Sequence, residues 1–374
     1  MEGGDCRNYK LFADILQEEL IPAMGCTEPI AIALCAAKAR DVLGCIPEEI
    51  EVAASGSIIK NVKSVIVPHT DHMKGIGTAA AVGIIGGKAE EMLNCLADVT
   101  PKQQEQMKAY LEKTAIKTSY AQDGRMFDIL ITVKGGGHWA KVRIADYHTN
   151  IVYAEKDGEV IFSKAVASDE GERETDRSFL TVEKIWDWAM NGDIEEVKPI
   201  LDKQIECNMA ISEEGLKNPY GANIGKTLLA IYGDKDIKVR ARAAAAAGSD
   251  ARMNGCEMPV IINSGSGNQG MTASIPVITY ARELNVSDEK LYRALMLSNM
   301  IAIHQKTGIG ALSAYCGAMS AGVGAGCGIA YLLGADLEGI NHTIVNAVVT
   351  ISGIICDGAK ASCASKLRRR LRQA

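Results

Sequence analysis

Apolar side chains take up helical spacing almost from the start of the chain. Leu11, Ile15, Leu16 and Leu20 share one face of residues 8–20, which predicts an amphipathic helix. The segment IPAMGCTEPIAIALCAAKA breaks at Gly25 and then turns helical, with Thr27 as the expected N-cap and Glu28 and Pro29 in the first turn. From about Ile46 the pattern changes to alternation. EEIEVAASGS and NVKSVIVPHT read as strands, the second closed by Pro68. KGIGTAAAVGIIGG opens a helix behind a glycine turn, and residues 101–124 read as a polar helix. FDILITVKGGGHWAKVRIADYHTNIVYAEKDGEVIF then holds three strand-like runs joined by Gly-rich and Asp-Gly turns. Beyond the charged stretch SDEGERETDRS, β signals are scarce. From Leu180 onward, helical segments of 10–20 residues follow one another, the Ala-rich ARAAAAAGSDARM among them. The pattern predicts an α+β fold: a mainly α-helical domain formed by residues 1–45 and 170–374, with a smaller α+β domain inserted at 46–166.

Composition narrows this picture without changing it. The 374 residues suffice for two domains with filled cores, and 47% hydrophobic with 23% charged residues is ordinary for a globular chain. A net charge of −6 gives no basis for nucleic-acid binding, whose proteins carry basic stripes. Only the tail KLRRRLR is strongly basic, and a solvated helix end accounts for it. Residues 310–335 are uncharged over a length that would span a bilayer, except at Asp336 just beyond; but seven glycines and two serines interrupt them, so a buried, close-packed helix is expected rather than a membrane span. The 11 cysteines are too few for a disulfide scaffold, and several, such as Cys35 and Cys327, sit in apolar Ala-rich runs. With no apolar signal core in MEGGDCRNYK, a reducing cytoplasm is the expected compartment.

Candidate chemistry gathers at a few places. The Gly- and Ala-rich stretch 314–363 carries four cysteines; Cys316 and Cys356 are 40 apart, and Cys356 and Cys363 are 7 apart in C-D-G-A-K-A-S-C. Thiolates are the ligands of iron–sulfur clusters, and three of them would leave one iron open. The spacing matches no compact ferredoxin run, however, and by itself favours core cysteines. Cys26 stands just ahead of a helix start, where the dipole is expected to favour its thiolate; simple packing at a turn accounts for it equally well. N-S-G-S-G-N-Q-G (263–270) precedes a helix expected to begin near Thr272. Its Ser264, Gly265, Ser266, Gly267, Asn268, Gln269 and Gly270 would suit an anion such as an amino-acid carboxylate, or would serve only as a helix-entry turn. His304 and Lys306 lie shortly before Cys316, and Lys306 is a candidate substrate contact. Asn223 and Lys226 in PYGANIGKT are a weaker candidate of the same kind. His69, Asp71 and His72 in PHTDH fit a surface turn better than a metal site. The S-G-N element is also similar to the carboxylate loop of pyridoxal-phosphate β-eliminating enzymes, but the residues just before it hold no Schiff-base lysine.

These motifs carry a family resemblance. The C-terminal stretch resembles that of L-cysteine desulfidases and, more distantly, the α region of iron–sulfur L-serine dehydratases. There a cysteine precedes a Gly/Ala-rich helix, and T-C-D-P followed by a third cysteine ends the domain. Cys316, the I-C-D-G at 355–358 and Cys363 stand at the matching positions, with the last two cysteines closer together than in the dehydratases. G-C-T-E-P is a desulfidase signature, and Gly56-Ser57 and Lys74 to Thr78 match the small β domain of the dehydratases. The resemblance implies a [4Fe–4S] cluster held by Cys316, Cys356 and Cys363, with Cys26 as base and residues 264–270 and Lys306 at the substrate. The implied reaction is non-redox β-elimination from L-cysteine to pyruvate, ammonia and sulfide. L-Serine dehydration on the same cluster and a non-catalytic cluster- or sulfur-binding protein are the alternatives. The expected partners are a small amino-acid substrate and a second copy of the chain, without nucleic acid or membrane.

Overall fold

A computed structural model of the chain describes residues 6–166, 175–310, 315–350, 354–356 and 358–370. Most of the charged stretch at 168–178, Asp357 of the I-C-D-G motif and the end of the basic tail lie outside these residues. Helix α1 (Cys6–Glu19) and the short strand β1 (Pro22–Met24) lead into α2 (Thr27–Leu43), then β2 (Glu49–Ala54), α3 (Gly56–Val62), α4 (Ile76–Gly86) and α5 (Pro101–Lys113). Strands β3 (Ile116–Tyr120), β4 (Asp128–Gly135), β5 (His138–Ala145), β6 (Ile151–Lys156) and β7 (Glu159–Ser163) follow. The rest is helical apart from one strand. It comprises α6 (Val182–Asn191), α7 (Lys198–Lys217), α8 (Ile224–Tyr232), α9 (Ile237–Met253), β8 (Pro259–Ile261), α10 (Gly267–Glu283), α11 (Asp288–Ile309), α12 (Gly317–Leu332), α13 (Leu337–Thr350) and α14 (Cys363–Arg370). The fold is α+β and mainly helical, as the pattern predicts.

The six-stranded sheet has the order β3-β2-β4-β5-β6-β7, antiparallel except where β2 meets β3. Alternation in β4 and β5 buries Ile129, Ile131, Val133, Ala140, Val142 and Ile144 on one face. Helix α2 covers that face. Its Cys35 thiol donates to the Val142 carbonyl at 3.4 Å, and Ile30, Ile32, Leu34 and Leu43 join the same core. A second core lies among α1, α6, α7 and α10 to α13, where Phe12 stacks on Trp188 at 5.3 Å. The division of the chain at residue 45 therefore does not coincide with a division between cores, because α2 packs with the sheet.

Several local expectations need correction. NVKSVIVPHT forms no strand. Ser55 caps a helix by accepting from Ile58 N–H, which takes Asn61 and Val62 into α3, and Val65 and Val67 are buried from the turns that follow. Residues 101–124 split into α5 and the edge strand β3. The expected three strands are four, because Asp157 and Gly158, both with positive φ, turn β6 into β7. Within the uncharged run at 310–335, α12 is buried over most of its 16 residues. No helix among the described residues is long and apolar enough to cross a membrane.

Candidate active site

Two strand–turn–helix units lie side by side. β1 pairs antiparallel with β8, each strand runs straight into a helix, and so the starts of α2 and α10 become neighbours. Thr27 Oγ1 ties them by donating to the Gly265 carbonyl at 3.0 Å. Buried amides fix the second unit from behind. Asn208 Oδ1 accepts from Ile261 N–H at 2.9 Å, and Asn263 Nδ2 donates to Asn299 Oδ1, which also accepts from Gln204. Ser264 and Gly265, both at positive φ, turn the chain into the helix. The helix begins at Gly267 rather than near Thr272, so Gly267 to Gly270 form its first turn.

In front of these helix starts lies a cavity of about 820 Å³. Its lining includes Cys26, Ser264, Gly265, Ser266, Asn268, Gln269, Lys306, Cys316, Cys356 and Cys363, so residues spread over almost the whole chain come together. Gly267 and Gly270 do not line it. A Cβ on Gly270 would meet the Ile261 carbonyl at 2.1 Å, and one on Gly267 would meet Arg252 Nε at 2.3 Å, so both serve close packing. His304, Asn223 and Lys226 are likewise outside the lining; Lys226 donates to the Lys217 carbonyl. In the PHTDH turn, Asp71 pairs with Lys108 and His69 with Glu257, and among the described residues no group of three or more His, Cys, Asp or Glu is placed to hold a metal ion.

The three C-terminal cysteines reach one wall by different routes. Cys316 precedes α12, and its N–H donates to the Ile354 carbonyl, which sets Tyr315 opposite Ile355 and brings Cys356 alongside. Cys363 opens α14. The Cys316 thiol donates to Cys356, which pushes Cys316 well above an ordinary thiol pKa and holds Cys356 well below one. Lys60 and Lys366 add to the lowering at Cys356. Burial raises Cys363, opposed by the Lys360 N–H and the charges of Lys366 and Arg252.

Cys26 departs from expectation. It occupies the N-cap position itself, with no side-chain capping bond, and Thr27 is the first helical residue. Its pKa is raised, not lowered. Burial and the Glu28 carboxylate both disfavour the thiolate, and they outweigh the helix start and Arg252. The thiol donates to Glu28 Oε2 at 3.0 Å, and Asn61 Nδ2 donates to Oε1 at 2.7 Å. Burial alone would raise Glu28, but the charge of His148 and the bonds from Cys26, its own backbone and Asn61 hold it below the usual carboxylate value. His148 comes from the turn after β5, with its Nε2 buried and unpartnered; burial pushes its pKa down. Asn61, His148 and Arg252 are among the lining residues that sequence patterns alone do not single out, and Glu28 is expected there only as a first-turn residue of α2. Arg252 is one of five charged residues in the Ala-rich helix α9, so its place in the sequence does not mark it out.

The family comparison places this mainly helical α+β chain in the serine dehydratase-like class. The chain belongs to the serine dehydratase alpha chain family, whose model matches residues 90–374. It is 56% identical over 361 residues to a UPF0597 protein of Desulfitobacterium hafniense, covering 96% of this chain and 84% of that protein. A UPF0597 protein of Lachnoclostridium phytofermentans is 54% identical over 359 residues, covering 96% of this chain and 86% of its own length. One from Bacteroides thetaiotaomicron is 39% identical over 363 residues, covering 96% and 84%.

Proposed function

We propose that the protein is an L-cysteine desulfidase-like lyase: L-cysteine and water give pyruvate, ammonia and hydrogen sulfide, with no change of redox state. The observation that carries this reading is one cavity wall bearing Cys316, Cys356 and Cys363, with the buried Cys26–Glu28 pair lining the same cavity. In donor chemistry the three thiols suit a [4Fe–4S] cluster, but they are not grouped at metal-ligand spacing, so a cluster would have to draw them together. Lys60 and Lys366 favour the thiolate of Cys356, and Lys366 and Arg252 act the same way on Cys363 against its burial, while Cys316 is held as the thiol that donates to Cys356. Bound by these three, such a cluster supplies an open iron, a Lewis acid for the leaving sulfur.

The chain's own groups handle the protons. Cys26 rests as a thiol, so it must pass its proton to Glu28 Oε2 before its sulfur can take the α-proton of the substrate. Asn61 holds the carboxylate in place for that transfer. The first turn of α10, whose Asn268 and Gln269 line the cavity, offers N–H groups to the substrate carboxylate, whereas the Ser266 N–H is already bonded to the Asn263 carbonyl. The family description favours L-serine as a second substrate, with hydroxide in place of sulfide as the leaving group.

The deciding experiment is anaerobic reconstitution with iron and sulfide, followed by incubation with L-cysteine and with L-serine and measurement of sulfide and pyruvate. Turnover should depend on about four iron per chain. Stoichiometric zinc instead of iron, or turnover independent of iron, refutes the cluster reading. Cys316→Ala and Cys356→Ala should lose the iron, whereas Cys26→Ala should keep it and lose turnover. Cys26 and Cys363 pack into one group with Val65, Met253 and Ala359. Iron lost from Cys26→Ala but kept in Cys363→Ala would therefore exchange their roles.

A further inference from the structure

Arg252 is a buried cation without a counter-ion. It is the penultimate residue of the Ala-rich helix α9, is 4% exposed, and lines the cavity. Its Nε has no acceptor, and its Nη1 reaches only the neutral Asn268 Oδ1 at 3.4 Å and Met253 Sδ at 3.5 Å. Among the described residues no carboxylate lies within ion-pair distance of it. A buried guanidinium left in that state is costly, and the cost is relieved when an anion binds. Its surroundings are built for one. The guanidinium lies against Gly267, the first residue of the 17-residue helix α10, so the helix N-terminus and the side-chain charge act on the same space. Any side chain at Gly267 would displace it, which gives that glycine a purpose.

We propose that Arg252, with the N-terminus of α10, is the anchor for the α-carboxylate of the amino-acid substrate and sets the requirement for a free acid. The assignment rests on the reading of this cavity as an amino-acid lyase site. Arg252 is near enough to influence Cys26, Cys363 and His148 alike. A carboxylate held by it would thus lie near both the proposed base and Cys363, in the cavity that all three line. Its planar donor fork matches a carboxylate in a way that a lysine ammonium does not.

The test compares L-cysteine with L-cysteine methyl ester, which keeps the amine and thiol and removes the negative charge. Iron content and melting temperature are recorded for every protein used. The iron-loaded wild type should process the acid with a kcat/KM at least about 100-fold above the ester, as expected for loss of a charged hydrogen-bond pair. R252Q should keep its iron, raise KM for L-cysteine on the order of 100-fold, and lose most of the acid-over-ester preference. R252K should recover part of it. G267A, which leaves Arg252 in the chain but displaces it, should raise KM in the same direction. Equal handling of acid and ester by the wild type overturns the proposal even if every variant misfolds. It is overturned too if R252Q discriminates like the wild type. Loss of iron from both R252Q and R252K at unchanged melting temperature also overturns it, because the guanidinium would then serve the thiolates. An iron-loaded wild type that consumes neither L-cysteine nor L-serine fails the lyase reading itself, and the carboxylate anchor falls with it.

Discussion

Cys356 is flanked by a thiol that donates to it and by two lysine ammonium groups, and each of these favours its thiolate. Cys316, the donor, is correspondingly hard to deprotonate. The contrast gives a measurable pH dependence in the cluster-free protein. Cys356, with a depressed pKa, should already be thiolate at pH 6.5. Its alkylation by iodoacetamide, followed by peptide mass spectrometry, should change little up to pH 8, where an ordinary thiol of pKa about 8.5 accelerates more than tenfold. Cys316→Ala removes the donor, so alkylation of Cys356 should become steeply pH-dependent. Equal pH profiles for Cys356 and Cys363 would refute this account. Cys26 shows the opposite case. A helix start and a carboxylate are both visible in G-C-T-E-P, but the contact of Glu28 with the thiol and the burial of both are consequences of packing, and they reverse the sign expected from the dipole.

Helix α12 crosses α11 so closely that a Cβ on Gly324 would meet the Ser298 carbonyl at 2.2 Å, with Ala302 also in the way. Backbone cannot yield as a flexible side chain does. Gly324→Ala should therefore cost about 1–3 kcal/mol by overpacking, despite the better helix propensity of alanine. A urea midpoint equal to that of the wild type would show that the crossing has slack. Because α12 begins at Gly317, next to the proposed ligand Cys316, the same variant should also loosen retention of the proposed cluster after reconstitution. The glycine and alanine pattern made this helix legible, as 3.6-residue periodicity did α1 and alternation did β2, β4 and β5. What stayed illegible depended on partners distant in the chain. The β-branched run Val62 to Val67 reads as a strand, yet a serine cap upstream and a nearby core convert it to a helix end and turns. The start of α10 reads five residues late in the sequence because glycines signal loop, and at this position they permit tight packing against Ile261 and Arg252. The cysteine wall needed a bridge between Tyr315 and Ile355 that no local pattern announces.

Across the whole molecule, the sheet and the helices are joined by more than the cavity between them. Helix α2 lies before the sheet block in sequence but fills the sheet's core, and Ile211, Ala244, Ala245, Val260 and Met271 from the later helical part belong to that core as well. Lys156 on β6 adds a bond to the Leu43 carbonyl at the end of α2, at 2.9 Å. Burying Ile30, Ile32, Leu34 and Leu43 is worth about 1.5–3 kcal/mol each, on the order of 6–12 kcal/mol together. That equals the entire net stability of an ordinary domain, about 5–15 kcal/mol. A fragment of residues 46–166, which keeps all of β2 to β7 but lacks α2, should accordingly stay unfolded, with narrow amide proton dispersion and no cooperative melting. Extending the fragment back to residue 20 should restore helix and sheet signals in part, because the contacts to α7, α9 and α10 would still be missing. A well-dispersed, cooperatively melting 46–166 fragment would show that the block folds independently and that α2 merely docks on it. The same coupling explains how His148, in a turn of the sheet block, can be held over Gly265, where a Cβ would meet the imidazole at 3.2 Å. With α2 anchored in the sheet at one end and starting at Cys26 at the other, a shift of the block would move the imidazole and the thiol together.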